Sequence, residues 1–358
     1  MKILVRGTNW IGDAVMSVPA LKQLRRIFPD AHIALHTRTW ADGLFGDAPF
    51  IDELVTFDKG RWAVKDVYDN SQFLKGDGYD MAIVLPNSFE SALTSFMSSI
   101  PVRFGYNRDL RGLLLTDPIA VPEWKNRRHE VYYYLNLISE VEKRTNGRDT
   151  VSVQEPDTSL EITAAQMERA RTILSGAGVD TARKLVVLAV GSTNSLAKRW
   201  PAKNYADVSR SLINDLGANV VLAGSPDEAK VAAGVAAAAG NGVVDLVGKT
   251  QLGEAVGILG AADLMISNDM GLAHVAAAVG TPTIVLFGPT NPATTRPWGA
   301  NVHVVQRDVS CEACDRNDES DRHVCARWGS VEEVVTAAKE ILADADIADT
   351  AAVSLELR

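Results

Sequence analysis

The chain has 358 residues, 46% of them hydrophobic and 23% charged, with a formal net charge of -9. That length suits two domains of roughly 100–200 residues, and the composition lets each bury a core of its own. The acidic balance excludes nucleic acid as the main partner, because tracking a phosphate backbone calls for a basic surface. No apolar run reaches the ~18–20 residues that span a bilayer, and Met1–Arg6 meets its charges too early for a signal peptide. A cytoplasmic protein is therefore expected. Its three cysteines all fall between positions 311 and 325, which is not a disulfide framework.

Short β-branched runs alternate with amphipathic stretches along the whole chain, the pattern of parallel α/β layers. In chain order the first half predicts strands at Lys2–Arg6, His32–His36, Glu53–Phe57, Asp80–Leu85 and Val102–Phe104. The second half predicts them at Lys184–Val190, Asn219–Ala223, Val243–Val247, Asp263–Ser267 and Thr283–Phe287. Helical patterns fill the gaps, among them Asp13–Ile27 and Ala202–Leu216. The polar, proline-broken segment Gln154–Thr158 predicts a linker between domains at 1–155 and 160–345, followed by an Ala- and Asp-rich tail at 346–358. Both halves repeat strand, Gly-containing turn and helix, which predicts two Rossmann-like parallel-sheet domains facing a cleft.

Ligands of open parallel sheets sit beyond the carboxyl ends of the strands, so the loops there carry the information. The first is Gly7-Thr8-Asn9-Trp10-Ile11-Gly12-Asp13. Its glycine spacing approaches a P-loop, but Asp13 stands where that motif requires lysine, and a carboxylate there repels phosphate. Asp13 either caps the helix that follows or serves as a general base.

In the second half, Gly191-Ser192-Thr193-Asn194-Ser195 leads to Lys198, Arg199 and Trp200-Pro201. Hydroxyls, a flexible glycine and cations together suit a diphosphate. Asn268-Asp269-Met270-Gly271-Leu272-Ala273-His274 follows a strand directly and opens a small-residue helix. Backbone N–H groups and the helix dipole favour an anion at such a place. A third loop, Ala223–Glu228, offers Glu228 either to ribose hydroxyls or to the start of its own helix.

Gly7–Ser17, Leu85–Leu93, Ala197–Pro201, Asn268–Ala278 and Phe287–Thr290, in this order and spacing, resemble the bacterial ADP-heptose:lipopolysaccharide heptosyltransferases of glycosyltransferase family 9. The resemblance runs from Lys2 to about Leu342 and is nearest to the heptosyltransferase II branch. It implies the GT-B fold and inverting transfer of heptose from ADP-heptose to the heptose of the lipopolysaccharide inner core. It further implies that Asp13 is the base and that Lys198 contacts the donor diphosphate. Ser192, Thr193, Asp269, Met270, Gly271, Leu272 and His274 would assist at the donor, Glu228 would hold its ribose, and Thr250 and Leu252 would line the adenine pocket.

No cofactor is expected, since cations and a helix end offset leaving-group charge. The acceptor side would use Gly12, Asn87, Ser88 and Arg108, with Arg103, Arg111, Lys125, Arg127 and Arg128 completing a basic patch. A lipid-linked acceptor implies peripheral contact with the inner face of the inner membrane. Two departures stand out: Met270 replaces a frequent Ser or Thr, and Val190-Gly191-Ser192 replaces Pro-Gly-Ala. Cys311, Cys314, His323 and Cys325 have the chemistry of a structural zinc site, with free or oxidisable thiols as the alternative. Two other functions fit the same loops: another family 9 reaction (the first or third heptose, or a different sugar nucleotide), or a nucleotide-binding protein without activity.

Overall fold

The computed structural model describes residues 1–192, 195–308 and 327–356, with side chains described as far as residue 343. The chain divides into two compact units, Met1–Leu160 and Glu161–Arg358.

The first unit carries six strands: β1 (Lys2–Arg6), β2 (His32–Arg38), β3 (Glu53–Phe57), β4 (Met81–Val84), β5 (Val102–Tyr106) and β6 (Asp117–Ile119). Its helices are α1 (Ile11–Ile27), α2 (Asp42–Phe45), α3 (Ala63–Lys75), α4 (Phe89–Met97) and α5 (Glu130–Asn146). All strands run parallel, in the order β3-β2-β1-β4-β5-β6. Ile3-Leu4-Val5 and Ala82-Ile83-Val84 are wholly buried. Their unbroken apolar character reflects helices covering both faces of the sheet.

The second unit repeats the plan with β7 (Leu185–Ala189), β8 (Asn219–Leu222), β9 (Val243–Asp245), β10 (Leu264–Asn268), β11 (Thr283–Leu286) and β12 (Val302–Val305). Between and around them lie α6 (Ala164–Gly176), α7 (Ala202–Leu216), α8 (Ala229–Ala239), α9 (Leu252–Gly260), α10 (Gly271–Ala278), α11 (Pro292–Thr295) and α12 (Val331–Glu356). The parallel order β12-β11-β10-β7-β8-β9 is the same doubly wound arrangement. Its core joins Val186, Leu188, Val220, Leu222, Leu264 and Ile266 to Trp200 and Tyr205.

In each sheet the strand order reverses beside the first strand, at β1/β4 and at β7/β10. In doubly wound sheets, connections from such neighbours run to opposite faces, and ligands bind where they part. This places every loop singled out above at the ligand-bearing end of its own sheet.

The sequence missed two edge strands. β6 is Asp117-Pro118-Ile119, three residues around a proline, which an edge tolerates and a sheet centre does not. Among the described residues β12 pairs only with β11, and it is partly exposed. The linker segment is tied to the first unit, since Asp157 and Ser159 both accept from Lys22 of α1. Among the described residues no helix is long and apolar enough to cross a membrane.

Candidate functional site

In the first unit, β1 delivers the chain into a tight loop. Gly7 N donates to the His36 carbonyl at 2.9 Å, and Thr37 Oγ1 donates to the Thr8 carbonyl at 2.9 Å. A Cβ on Gly7 would stand 2.9 Å from Thr37 Cβ, so only glycine fits that approach.

Helix α1 then begins earlier than the sequence suggests. Its N-cap is Trp10, which makes no side-chain capping bond, and Asp13 lies inside the first turn. Asp13 is therefore not the cap. A carboxylate in a first turn is still favoured by the helix dipole, and here it accepts a hydrogen bond from Tyr134 Oη at 3.2 Å. Tyr134 belongs to α5, packed against α1, and is buried. Burial raises its phenol pKa well above the ordinary value, and the Asp13 charge acts in the same direction. The phenol thus stays a donor and holds the carboxylate in place. Nothing in the local sequence pointed to Tyr134.

The loop after β4 lies at the same end of this sheet. Ser88 caps α4, accepting from Ser91 N at 3.3 Å. Asn87 Oδ1 accepts from Tyr133 Oη at 3.1 Å. Beneath them runs Arg111, 0% exposed, which donates Nε to the Tyr106 carbonyl at 2.8 Å and Nη1 to the Pro86 carbonyl. Burial lowers its pKa to about 10.

The expected basic patch is corrected at Arg111, while Arg127 and Arg128 are exposed. Arg111 is an internal brace, not a surface cation. Arg103 donates to the Leu114 and Ile100 carbonyls and stacks on Phe96. Lys125 pairs with Glu130 against the Tyr133 ring, and Arg128 lies 3.5 Å over the Tyr132 ring. These stems and charges hold the local fold. Arg108 remains half-exposed, 3.6 Å from Asp109. Gly12, the second residue of α1, is partly exposed in the turn that bears Asp13.

In the second unit, Asn268 at the end of β10 ties the β7 loop to the β10 loop. Its Oδ1 accepts from Trp200 N (3.0 Å) and Tyr205 Oη (2.9 Å), and its Nδ2 donates to the carbonyls of Val190 (3.1 Å) and Gly191 (2.9 Å). All four bonds are buried. Asn268→Ala would remove all four bonds, leaving Tyr205 Oη only its longer contact to the Ala189 carbonyl, so we expect a stability loss of about 3 kcal/mol by urea unfolding. A loss below about 1 kcal/mol would mean that these bonds do not hold the loops.

Beside this hub, Lys198 Nζ meets Asp269 Oδ2 at 2.7 Å; Asp269 is nearly buried and Lys198 more open. Arg199 donates Nη2 to the Ser192 carbonyl at 3.0 Å, securing the strand of loop around Ser192. Met270 is the extended N-cap of α10 and makes no side-chain capping bond, so the helix presents backbone N–H groups at Gly271 and Leu272. A cation and an uncapped helix start together suit an anion. His274 is buried one turn further along α10.

Glu228 turns out to do the cap's work that the sequence left as one of two readings. Its Oε2 accepts from Ser225 N at 2.8 Å in a capping box, while Oε1 has no partner among the described residues. A Cβ on Gly191 would overlap that carboxylate, which explains the glycine. Gly248 N donates to the Gly224 carbonyl at 3.0 Å and so draws the following loop, with Thr250 and the first α9 residue Leu252, toward the Glu228 turn.

Thr193, Cys311, Cys314, His323 and Cys325 lie outside the described residues. Among the described ones no group of three His, Cys, Asp or Glu side chains is arranged to hold a metal.

Comparison with known proteins shows the family and the fold. The profile of "Glycosyltransferase family 9 (heptosyltransferase)" matches residues 68–324. Lipopolysaccharide heptosyltransferase 2 of Salmonella typhimurium is 31% identical over 315 residues, covering 86% of this chain and 88% of that protein. Among solved structures, E. coli ADP-heptose lps heptosyltransferase II superposes with a TM-score of 0.81 at 26% identity, over 97% of this chain and 100% of the other. E. coli heptosyltransferase WaaC with ADP shares the fold, with a TM-score of 0.70 at 20% identity over 95% of this chain and 100% of that one.

Proposed function

The chain belongs to glycosyltransferase family 9, the heptosyltransferases, and from that premise we propose that it transfers heptose from ADP-heptose to the heptose of the lipopolysaccharide inner core. The carrying observation is its 31% sequence identity to a heptosyltransferase 2 over 86% of this chain and 88% of that protein. In this reading Asp13 takes the proton of the acceptor hydroxyl, whose oxygen forms a bond to the anomeric carbon of the donor sugar. The bond from that carbon to the diphosphate oxygen breaks as the new one forms, and ADP leaves with the electron pair. Attack opposite the leaving group inverts the anomeric configuration.

Lys198 and the N-terminal end of α10 offset the charge that develops on ADP. Asp269 positions Lys198 through their 2.7 Å ion pair. Gly271 and Leu272 offer backbone donors where Met270 offers no side-chain one. The free oxygen of Glu228 is left for a ribose hydroxyl, with Thr250 and Leu252 near the base. Ser192, Thr193 and His274 complete the donor side, and Gly12, Asn87, Ser88 and Arg108 the acceptor side.

A donor panel read by thermal unfolding checks the nucleotide preference. ADP at ~100 times its dissociation constant should stabilise the protein by roughly 2.7 kcal/mol. Stabilisation by UDP, GDP or NAD with none by ADP would overturn the donor assignment.

A further inference from the structure

The carboxyl ends of β1, β2 and β3 hold a cluster of cations that the proposed reaction leaves unused. Arg6, the last residue of β1, is 4% exposed and donates to the carbonyls of Gly7 and His36 and to Asn9 Oδ1 at 2.8 Å. Its register partner on β2 is His36, also buried, and Arg38 ends the same strand. The ring of Phe57, at the end of β3, gathers all three side chains. Its centroid lies 4.6 Å from the Arg6 guanidinium, 4.7 Å from the His36 ring and 5.6 Å from the Arg38 guanidinium.

Among the described residues neither guanidinium has a carboxylate within 4.0 Å. The acid that acts on Arg6 through space is Glu90, and that carboxylate already meets Lys59 at 3.4 Å. Arg6 and Lys59 thus share one acid. One donor of the cluster, Arg38 Nη1, is buried with no hydrogen-bond partner among the described residues, while His36 turns its Nε2 to Asn70 Oδ1 at 3.2 Å. Burial lowers the Arg6 pKa to about 10 against the pull of Glu90, with the Arg38 charge adding to the fall. Unpaired buried cations and donors are costly, and a fold keeps them where something supplies the missing acceptor.

We propose that Arg38, with Arg6 behind it and Lys59 on the loop after β3, forms a subsite at the ends of β1–β3 for an anionic group, phosphate or carboxylate, carried by the acceptor. The position suits it, since ligands of doubly wound sheets collect at these strand ends. The chemistry suits it too: a guanidinium matches the two-oxygen face of either group. Arg38 is partly exposed and can meet a ligand, whereas Arg6 is enclosed and acts through its charge. The proposal rests on the transferase reading for its ligand but not for its chemistry.

The test uses the full chain with ADP at saturation, so that the donor's own phosphate site is filled. Inorganic phosphate is then titrated by calorimetry into wild type, Arg38→Gln and Arg38→Lys. Wild type should bind phosphate, Arg38→Gln should not, and Arg38→Lys should bind more weakly. In turnover, Arg38→Gln should raise the acceptor KM about tenfold while the ADP-heptose KM stays within about twofold. Treating the acceptor with phosphatase distinguishes the sources. A wild-type KM that rises to the variant's value identifies a phosphate, and an unchanged one identifies a carboxylate; both support the subsite. Equal phosphate binding and equal acceptor KM in wild type and Arg38→Gln would overturn it. So would a rise in both KM values together with a lowered melting temperature, which is what a structural role produces. If wild type transfers no heptose at all, the transferase reading fails while the phosphate titration still decides the subsite.

Discussion

Asp13→Ala should lower turnover by ~10³-fold while leaving ADP affinity unchanged, within the range that loss of a positioned base produces. A sugar hydroxyl is a poor nucleophile until its proton is taken, and Asp13 is a carboxylate in the first turn of α1, steadied by Tyr134. Asp13→Asn keeps the shape and the acceptor oxygen for Tyr134 but removes the basicity, so it should fall as far as Ala. Single-turnover ADP release separates this from slow product loss. Full activity in Asp13→Asn would remove Asp13 as the base and leave it a dipole partner of its helix.

Lys198→Ala should lower kcat/KM for ADP-heptose by about 10²–10³-fold, the size expected for losing one preorganised charge at a leaving group. The same change strips the nearly buried Asp269 of its partner, so stability should fall as well. The double variant Lys198→Ala/Asp269→Asn separates these effects. It should regain thermal stability by removing the stranded charge and regain no activity. Recovery of both would make Lys198 a structural counter-ion.

The central strands were legible because residues such as Val186-Val187-Leu188 are buried on both faces and read as unbroken apolar runs. The loops at the two strand-order reversals were legible because Gly7, Gly191 and Gly271 punctuate them. Two of the four edge strands were not: Asp117-Pro118-Ile119 resembles a turn, and Val302–Val305 pairs on one side only. Function carried by long-range contacts was equally hidden. Tyr134 lies 121 positions from Asp13 and reads as an ordinary helix aromatic. Arg111 looked like a surface cation because spacing does not reveal that its donors end on buried carbonyls. Asn268 was visible as a motif residue, but its four-bond role needs the β7 and β10 strands paired. Arg6, His36 and Arg38 drew no notice in sequence, since each merely ends or interrupts an apolar strand.

The most direct measurement is product analysis after incubating the protein with ADP-heptose and a heptosylated inner-core acceptor. Mass spectrometry should show heptose added in step with ADP release, and NMR of the new linkage should show the anomeric configuration inverted from the donor. Transfer from a different sugar nucleotide only, or a retained configuration, would contradict inverting heptose transfer by this chain.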